Sequence, residues 1–309
     1  MDSANKQSIE AKISEATGTR SRIKNAKSES GGCINDARTI ELEDGRCYFV
    51  KSNDNAARDM FEKEAHGLEI LGATETIRVP DVIGWQTGRN GFLVLEAIDT
   101  GRKPPNFEAN FGRQLALLHQ VSRTVLAPEC SDRESTPCPV ESFGLYHDNY
   151  IGSTAQPNTW ADDWVAFWRE HRFGFQFELA RSNGYGDGGF NRLADKLLSR
   201  LDDLLTIDEP PCLIHGDLWS GNYMVGIAGE PLLIDPAVYF AHREAEFGMT
   251  TLFGGFGPAF YQAYEDVWPL PDGSEIRIAL YRLYHLLNHL NLFGSSYLNQ
   301  CIEIMKKYA

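Results

Sequence analysis

The chain has 309 residues, 29 of them Lys or Arg and 43 Asp or Glu, for a formal charge of −14. That acidic surplus argues against a general binder of nucleic acid or of an anionic membrane and leaves only a local basic groove open. With 42% hydrophobic and 23% charged residues, the chain can bury a sizeable core. Wholesale disorder is thereby excluded, and the length suits two lobes of roughly 150 residues each.

Residues 1–30 are polar and mixed in charge, with no apolar stretch of the kind a signal peptide carries. Later apolar runs, such as residues 91–98, are far shorter than the ~20 residues a membrane span needs. Cys33, Cys47, Cys130, Cys138, Cys212 and Cys301 are scattered and form no CxxC pair. That pattern fits neither a zinc ribbon nor a dense disulfide framework, and reduced thiols in a cytoplasm are the expectation.

Taking the elements in chain order, Ile9 and Ile13 lie four apart and predict a modest amphipathic helix over 7–17. Gly31-Gly32-Cys33 opens a turn, and residues 37–42 alternate as a strand. Glu43-Asp44-Gly45 reads as a hairpin turn before a short strand at 47–51 that ends in Lys51. Met60, Phe61, Ala65, Leu68 and Leu71 mark one face of a helix over 59–72, and strands follow at 79–84 and 92–98. A small antiparallel sheet with one inserted helix is the natural assembly.

After Asp99 the character changes. Residues 100–105 form a polar, Pro-containing connection, 111–121 return to helical periodicity, and 126–139 read as a loop rich in Pro, Ser and charge. Helices are expected over 160–183 and 190–205. Short apolar strands at 212–214 and 232–234 surround a motif-dense loop, and mostly helix follows from about Glu244. No internal repeat is visible. The predicted fold class is α+β, with a sheet-rich small lobe over 1–97 and a helix-rich large lobe over 98–309.

The chemistry concentrates in His215-Gly216-Asp217-Leu218-Trp219-Ser220-Gly221-Asn222, followed by Leu233-Ile234-Asp235-Pro236. Phosphoryl transfer from a nucleotide needs a carboxylate to orient the acceptor and oxygen ligands for Mg²⁺ beside the phosphates. An Asp with an Asn five residues later is the spacing of a kinase catalytic loop, and Asp235 follows where a second metal ligand belongs. Asp217 is thus the candidate catalytic group, with Asn222 and Asp235 the candidate metal ligands. Upstream, Lys51 closes the strand Phe49-Val50-Lys51 and matches the strand lysine that holds the α- and β-phosphates. Its expected partner is a carboxylate on the next helix. Glu64 is preferred to Glu62, because residues two apart do not share a helix face. Gly31, Gly32 and Cys33 could bring backbone N–H groups near phosphates.

With these residues in place, the chain resembles the fructosamine kinase (ketosamine-3-kinase) family, within the wider group of aminoglycoside phosphotransferase and choline kinase folds. Trp219 and Ser220 inside the catalytic loop, Gly31-Gly32-Cys33-Ile34, and Met60-Phe61-Glu62-Lys63-Glu64 carry the resemblance. So do His147-Asp148-Asn149-Tyr150-Ile151-Gly152, Trp164 with His171-Arg172, and Leu252-Phe253-Gly254-Gly255-Phe256, so that the matches run from about residue 31 to 294. The resemblance implies a bilobal protein-kinase-like fold that binds ATP in its cleft, with Glu96-Ala97-Ile98 as the hinge that meets adenine. It implies ketosamine substrates, fructosamine or ribulosamine adducts on lysine, free or in protein. Phosphorylation at the sugar 3-hydroxyl would destabilise the adduct and regenerate the amine. Trp219 could present its indole to a sugar face or an ammonium group, and His289 matches a family position near the acceptor. A structural aromatic and a satisfied core histidine are the alternative readings.

Asp235-Pro236-Ala237 stands where protein kinases have D-F-G, and no A-P-E or phosphorylatable activation segment follows. Control through an activation loop is not expected. A Cys33 thiolate near Lys51 and backbone donors would be prone to oxidation, either within one chain or as a disulfide-linked dimer; a small residue that fits the turn is the competing reading. An aminoglycoside, choline or other amino-sugar kinase is the alternative within the same fold. A nucleotide-binding pseudokinase is disfavoured by the full set of Lys51, Glu64, Asp217, Asn222 and Asp235.

Overall fold

The computed structural model describes residues 3–29, 35–53, 59–125 and 141–309. The chain begins with helix α1 (Ser3–Thr17), then strands β1 (Ile23–Ser28), β2 (Asp36–Leu42) and β3 (Cys47–Asn53), helix α2 (Met60–Gly72), and strands β4 (Val82–Gln86) and β5 (Gly91–Glu96). The strands form one antiparallel sheet in the order β1-β2-β3-β5-β4. Alternation sorts its two faces. Val50, Phe92 and Val94 pack with Ile40 and Leu42 on Ile9 and Ile13 of α1. Leu93 and Leu95 turn the other way and meet Phe61, Ala65 and Leu68 of α2, with Phe49 against them. Lys51, two residues beyond Phe49, shares that α2 face, which is why it can reach a carboxylate on the helix.

Two strands depart from expectation. β1 has one buried residue, Ile23, and five exposed ones, so as a polar edge strand it shows no apolar alternation to read. The strand expected at 79–84 starts instead at Val82. Pro80 lacks the N–H a ladder needs, and the residues before it turn to the other lobe. There Arg78 bridges Leu232, and the Leu233 N–H donates to the Arg78 carbonyl at 2.9 Å.

The large lobe is built from α3 (Phe107–Val125), β6 (Asn149–Ile151), β7 (Thr154–Gln156), α4 (Trp164–Phe167), a π-helical stretch Trp168–Gly174, α5 (Phe175–Ala180), a second π turn Arg181–Tyr185, α6 (Gly188–Ser199) and α7 (Leu201–Leu205). Strands β8 (Cys212–Ile214), β9 (Tyr223–Val225), β10 (Pro231–Leu233) and β11 (Tyr239–Ala241) precede α8 (Glu244–Thr250), α9 (Pro258–Glu265), α10 (Ser274–Phe293), the short 3-10 turn Ser295–Tyr297 and α11 (Leu298–Tyr308). The single helix expected over 160–183 starts later and is broken. Asp163 caps α4 by accepting from the Ala166 N–H at 2.6 Å, and the π stretch brings the Arg169 carbonyl so close to Gly174 that a Cβ there would lie 2.6 Å from it. The helix expected over 190–205 also divides, at Arg200. One apolar core fills this lobe, with Trp164, Phe167, Trp168, Tyr239, Tyr281 and Tyr284 at its centre.

Three histidines sit in or against this packing as neutral rings. Burial pushes His242 and His285 down to about 3, helped by Arg277 at His242 and by His289 at His285. Burial, with the charge of Lys63, pushes His147 down to about 4. An unfolded histidine titrates near ~6.5, so below that pH the unfolded chain binds more protons and stability falls. The melting temperature is therefore expected to be flat above about pH 6.5 and to drop steadily from there towards pH 4. A thermal scan of His242→Phe should show a shallower acid loss than the parent; an equal slope would show that the buried histidines do not set it.

Candidate active site

The β3–α2 face delivers the first part of the site. Lys51 Nζ donates to Glu64 Oε1 at 2.7 Å, and a second, very short contact joins it to Asp235 Oδ1 across the cleft. Burial pulls the ammonium down, but the carboxylates of Asp235 and Glu64 outweigh it and hold Lys51 above its ordinary range. Glu64 faces Lys51, as its helix position demands. The structure thus brings together three residues that lie 184 positions apart at the extreme.

The loop between β8 and β9 supplies the second part. Gly216 has φ +82, and a Cβ on it would lie 2.1 Å from the Ala237 carbonyl, so the chain can pass here only as glycine. His215 Nε2 bonds the Ile234 carbonyl at 2.8 Å, and Nδ1 accepts from the Asp217 N–H at 3.2 Å. Burial depresses its pKa, which suits the neutral tautomer these bonds require. Asn222 Nδ2 donates to the Asp217 carbonyl at 2.8 Å and to Asp217 Oδ2 at 3.1 Å. The same residue's carbonyl accepts from Ile234 N–H at 3.0 Å, which ties the loop to the strand leading into Asp235. Burial, then the nearby charge of Asp235, raises the Asp217 carboxyl well above the usual aspartate range. Asp235 itself is left-handed, at φ 55.

Sequence reasoning missed the group that anchors this loop. Glu246, buried on α8, accepts the backbone N–H of His215 at 2.6 Å and of Gly216 at 3.1 Å. In sequence it is one of two acids in Arg243-Glu244-Ala245-Glu246-Phe247, and only its burial between apolar neighbours gives it away. Glu246→Ala would strand two buried donors at ~1–3 kcal/mol each. A melting temperature lowered by several degrees is expected, and activity should fall more than the loss of folded protein explains, because the loop carries Asp217. Differential scanning fluorimetry beside an activity assay checks both.

A polar network supports the far side. Arg172 is buried with its guanidinium 3.9 Å from the Tyr239 ring centroid, and it donates to the Pro157 carbonyl at 2.6 Å and to Asn158 Oδ1 at 2.8 Å. Asn149 Nδ2 donates to the Val238 carbonyl at 2.8 Å and Gln156 Nε2 to the Ala237 carbonyl at 3.1 Å. The Asn149 and Gln156 bonds thus hold the backbone that follows Asp235-Pro236.

The remaining predicted residues fall as follows. Trp219 lies in the loop with its ring 6.1 Å from Phe253, and Phe253 lies 4.8 Å from His289. Trp219 and His289 are therefore brought to one wall through a residue between them. Glu96 ends β5. Its N–H is spent on the Asp81 carbonyl at 2.9 Å and its carboxylate is engaged by Arg78, while half-buried Ala97 and Ile98 continue towards the large lobe. Gly31, Gly32 and Cys33 lie outside the described residues, as do Cys130 and Cys138. Among the described residues, no group of three or more His, Cys, Asp or Glu side chains is arranged to hold a metal alone, and no helix is long and apolar enough to cross a membrane.

A sequence model of the fructosamine kinases matches residues 5–309 of this chain. The chain belongs to the fructosamine kinase family. A probable ketoamine kinase of Synechocystis sp. is 41% identical, covering 97% of this chain and 96% of its own. A chloroplastic protein-ribulosamine 3-kinase of Arabidopsis thaliana is 40% identical over 94% of this chain and 84% of its own. The crystal structure of a candidate fructosamine-3-kinase from Thermobifida fusca superposes with a TM-score of 0.82 at 33% identity, covering 97% of each chain. An ADP-bound aminoglycoside phosphotransferase shares the fold at 13% identity, with a TM-score of 0.61 and coverage of 99% and 97%. As a member of the fructosamine kinase family, with this bilobal kinase-like fold, the protein is an ATP-dependent phosphotransferase.

Proposed function

We propose that this kinase transfers the γ-phosphate of ATP to the 3-hydroxyl of a ketosamine, a fructosamine or ribulosamine adduct on lysine, free or in protein, and so leads to deglycation. The observation that carries the reading is the pairing of Asp217 with Asn222 beside Asp235 and Lys51, in a chain whose relatives bear ketoamine and ribulosamine kinase names. Residues 1–97 would form the nucleotide-binding lobe and 98–309 the catalytic and acceptor lobe. Asp217 would accept a hydrogen bond from the sugar hydroxyl and aim its oxygen in line with the phosphate, taking the proton late, because the transition state is loose and positioning dominates. Lys51, held by Glu64, would meet the α- and β-phosphates, and the backbone of Glu96, Ala97 and Ile98 the adenine. Gly32 and Cys33 would bring backbone N–H groups near the phosphates.

Two hard oxygen donors from the protein, the Asn222 amide and the Asp235 carboxylate, suit a Mg²⁺ that takes its other ligands from phosphate and water. That ion would neutralise charge growing on the phosphate oxygens. Trp219 and His289 would lie against the acceptor. The scattered cysteines fit a reducing, cytoplasmic setting. A coupled assay with ribulosyl-lysine, fructosyl-lysine, choline and kanamycin in parallel tests the proposal. Turnover with either lysine adduct and none above background with the last two is expected; turnover confined to choline or kanamycin would overturn it.

A further inference from the structure

An aromatic wall runs outward from the catalytic loop, and the phosphate chemistry leaves most of it without a role. Trp219 meets Phe253 edge to face. Beyond Phe253, His289 has Phe293 at 5.4 Å and Tyr297 at 5.2 Å between ring centroids. The rings come from the 215–222 loop, the segment after α8, the end of α10 and the turn that follows it. Phe253 is 41% exposed and Phe293 51%, and they are the only aromatic residues among the exposed large hydrophobics of the described chain. Exposed rings gathered beside a catalytic loop mark a contact surface more than a packing remainder.

The wall is fixed to the loop. A Cβ on Gly255, which has φ +97, would lie 2.3 Å from Ser220 Cβ, and the Tyr223 hydroxyl donates to the Gly255 carbonyl at 3.4 Å. His289 bonds the His285 carbonyl through Nδ1 at 2.8 Å, and burial lowers its pKa, so the ring in the middle of the wall is neutral and does not repel a cation.

We propose that Phe253 and Phe293 form a subsite for the amine-bearing arm of the acceptor, a secondary ammonium on an apolar alkyl stem. The inference rests on the ketosamine reading above and adds the residues that select among ketosamines. Ring faces attract an ammonium group, and ring edges cover methylenes removed from water. The net charge of −14 favours the approach of a cation. The rings run from Trp219 through Phe253 and His289 to Phe293, so a long stem would meet more of the wall than a short one.

Steady-state kinetics with ribulosyl-lysine and with ribulosyl-methylamine, which has the amine but no stem, test this. In Phe293→Ala, and in Phe253→Leu as a milder second variant, KM for the lysine adduct should rise about 5- to 30-fold with kcat little changed. Both adducts carry the ammonium, so the ratio of kcat/KM for the lysine adduct over the methylamine adduct should fall by the part of that factor that the stem contributes, and Phe293→Tyr should keep it. An unchanged ratio in both Phe293→Ala and Phe253→Leu overturns the subsite while leaving the ketosamine reading intact. Failure of the parent enzyme to phosphorylate either adduct overturns that reading and the subsite with it.

Discussion

Asp217→Asn is expected to lower kcat by about two to four decades, the range that positioned acid–base groups contribute. The substitution keeps shape and volume but removes the negative charge that would hold the acceptor hydroxyl. Asn222 donates to both the Asp217 carbonyl and its carboxylate. The asparagine can keep the first of these bonds and offer its amide oxygen to the second, so the loop should stay in place. The carboxyl already sits well above its ordinary pKa because of burial and the charge of Asp235; replacing it by a neutral amide relieves that repulsion, and the melting temperature should hold or rise. ATP affinity should change little. Rapid-quench or steady-state assays beside a thermal scan separate the effects, and near-parental kcat would remove Asp217 from its role.

Asp235→Ala is expected to abolish turnover and to weaken Mg²⁺-dependent ATP binding, since on the proposed reading a hard divalent ion would lose its one charged ligand from the chain. The same carboxylate contacts Lys51 across the cleft, but Lys51 retains Glu64 at 2.7 Å. The buried ammonium therefore keeps a partner and the protein should still fold. Titrating Mg²⁺ at fixed ATP, with calorimetry as the readout, should give a curve displaced to higher metal concentration. A Mg²⁺ dependence equal to that of the parent would exclude Asp235 as a ligand.

The residues with chemistry were legible because their spacing is local or their motif is dense. His215 to Asn222 is one loop, and Glu64 lies on the helix after the Lys51 strand, where a partner carboxylate is expected; its contact with Lys51 is present. The alternating faces of β3 and β5 were equally readable, since apolar residues at period two need no knowledge of the partner strand. Elements governed by tertiary context were not. β1 is a polar edge strand held by its pairing with β2. The π stretches after Trp164 preserve an apolar helical pattern while changing its pitch, so periodicity ran straight through them. Glu246 reads as a surface acid until α8 is packed beneath the catalytic loop. Phe253 was visible as part of Leu252-Phe253-Gly254-Gly255-Phe256, but its position between Trp219 and His289 exists only in three dimensions.

The position of the phosphate on the product tests the central claim most directly. Ribulosyl-lysine carrying ¹³C in the sugar, incubated with enzyme and Mg·ATP and followed by ¹³C and ³¹P NMR, should show phosphorus coupling at and around C3, followed by the appearance of free lysine as the adduct breaks down. Phosphorylation at the terminal C5 hydroxyl, or a 3-phosphate absent while ATP is consumed, would contradict the account.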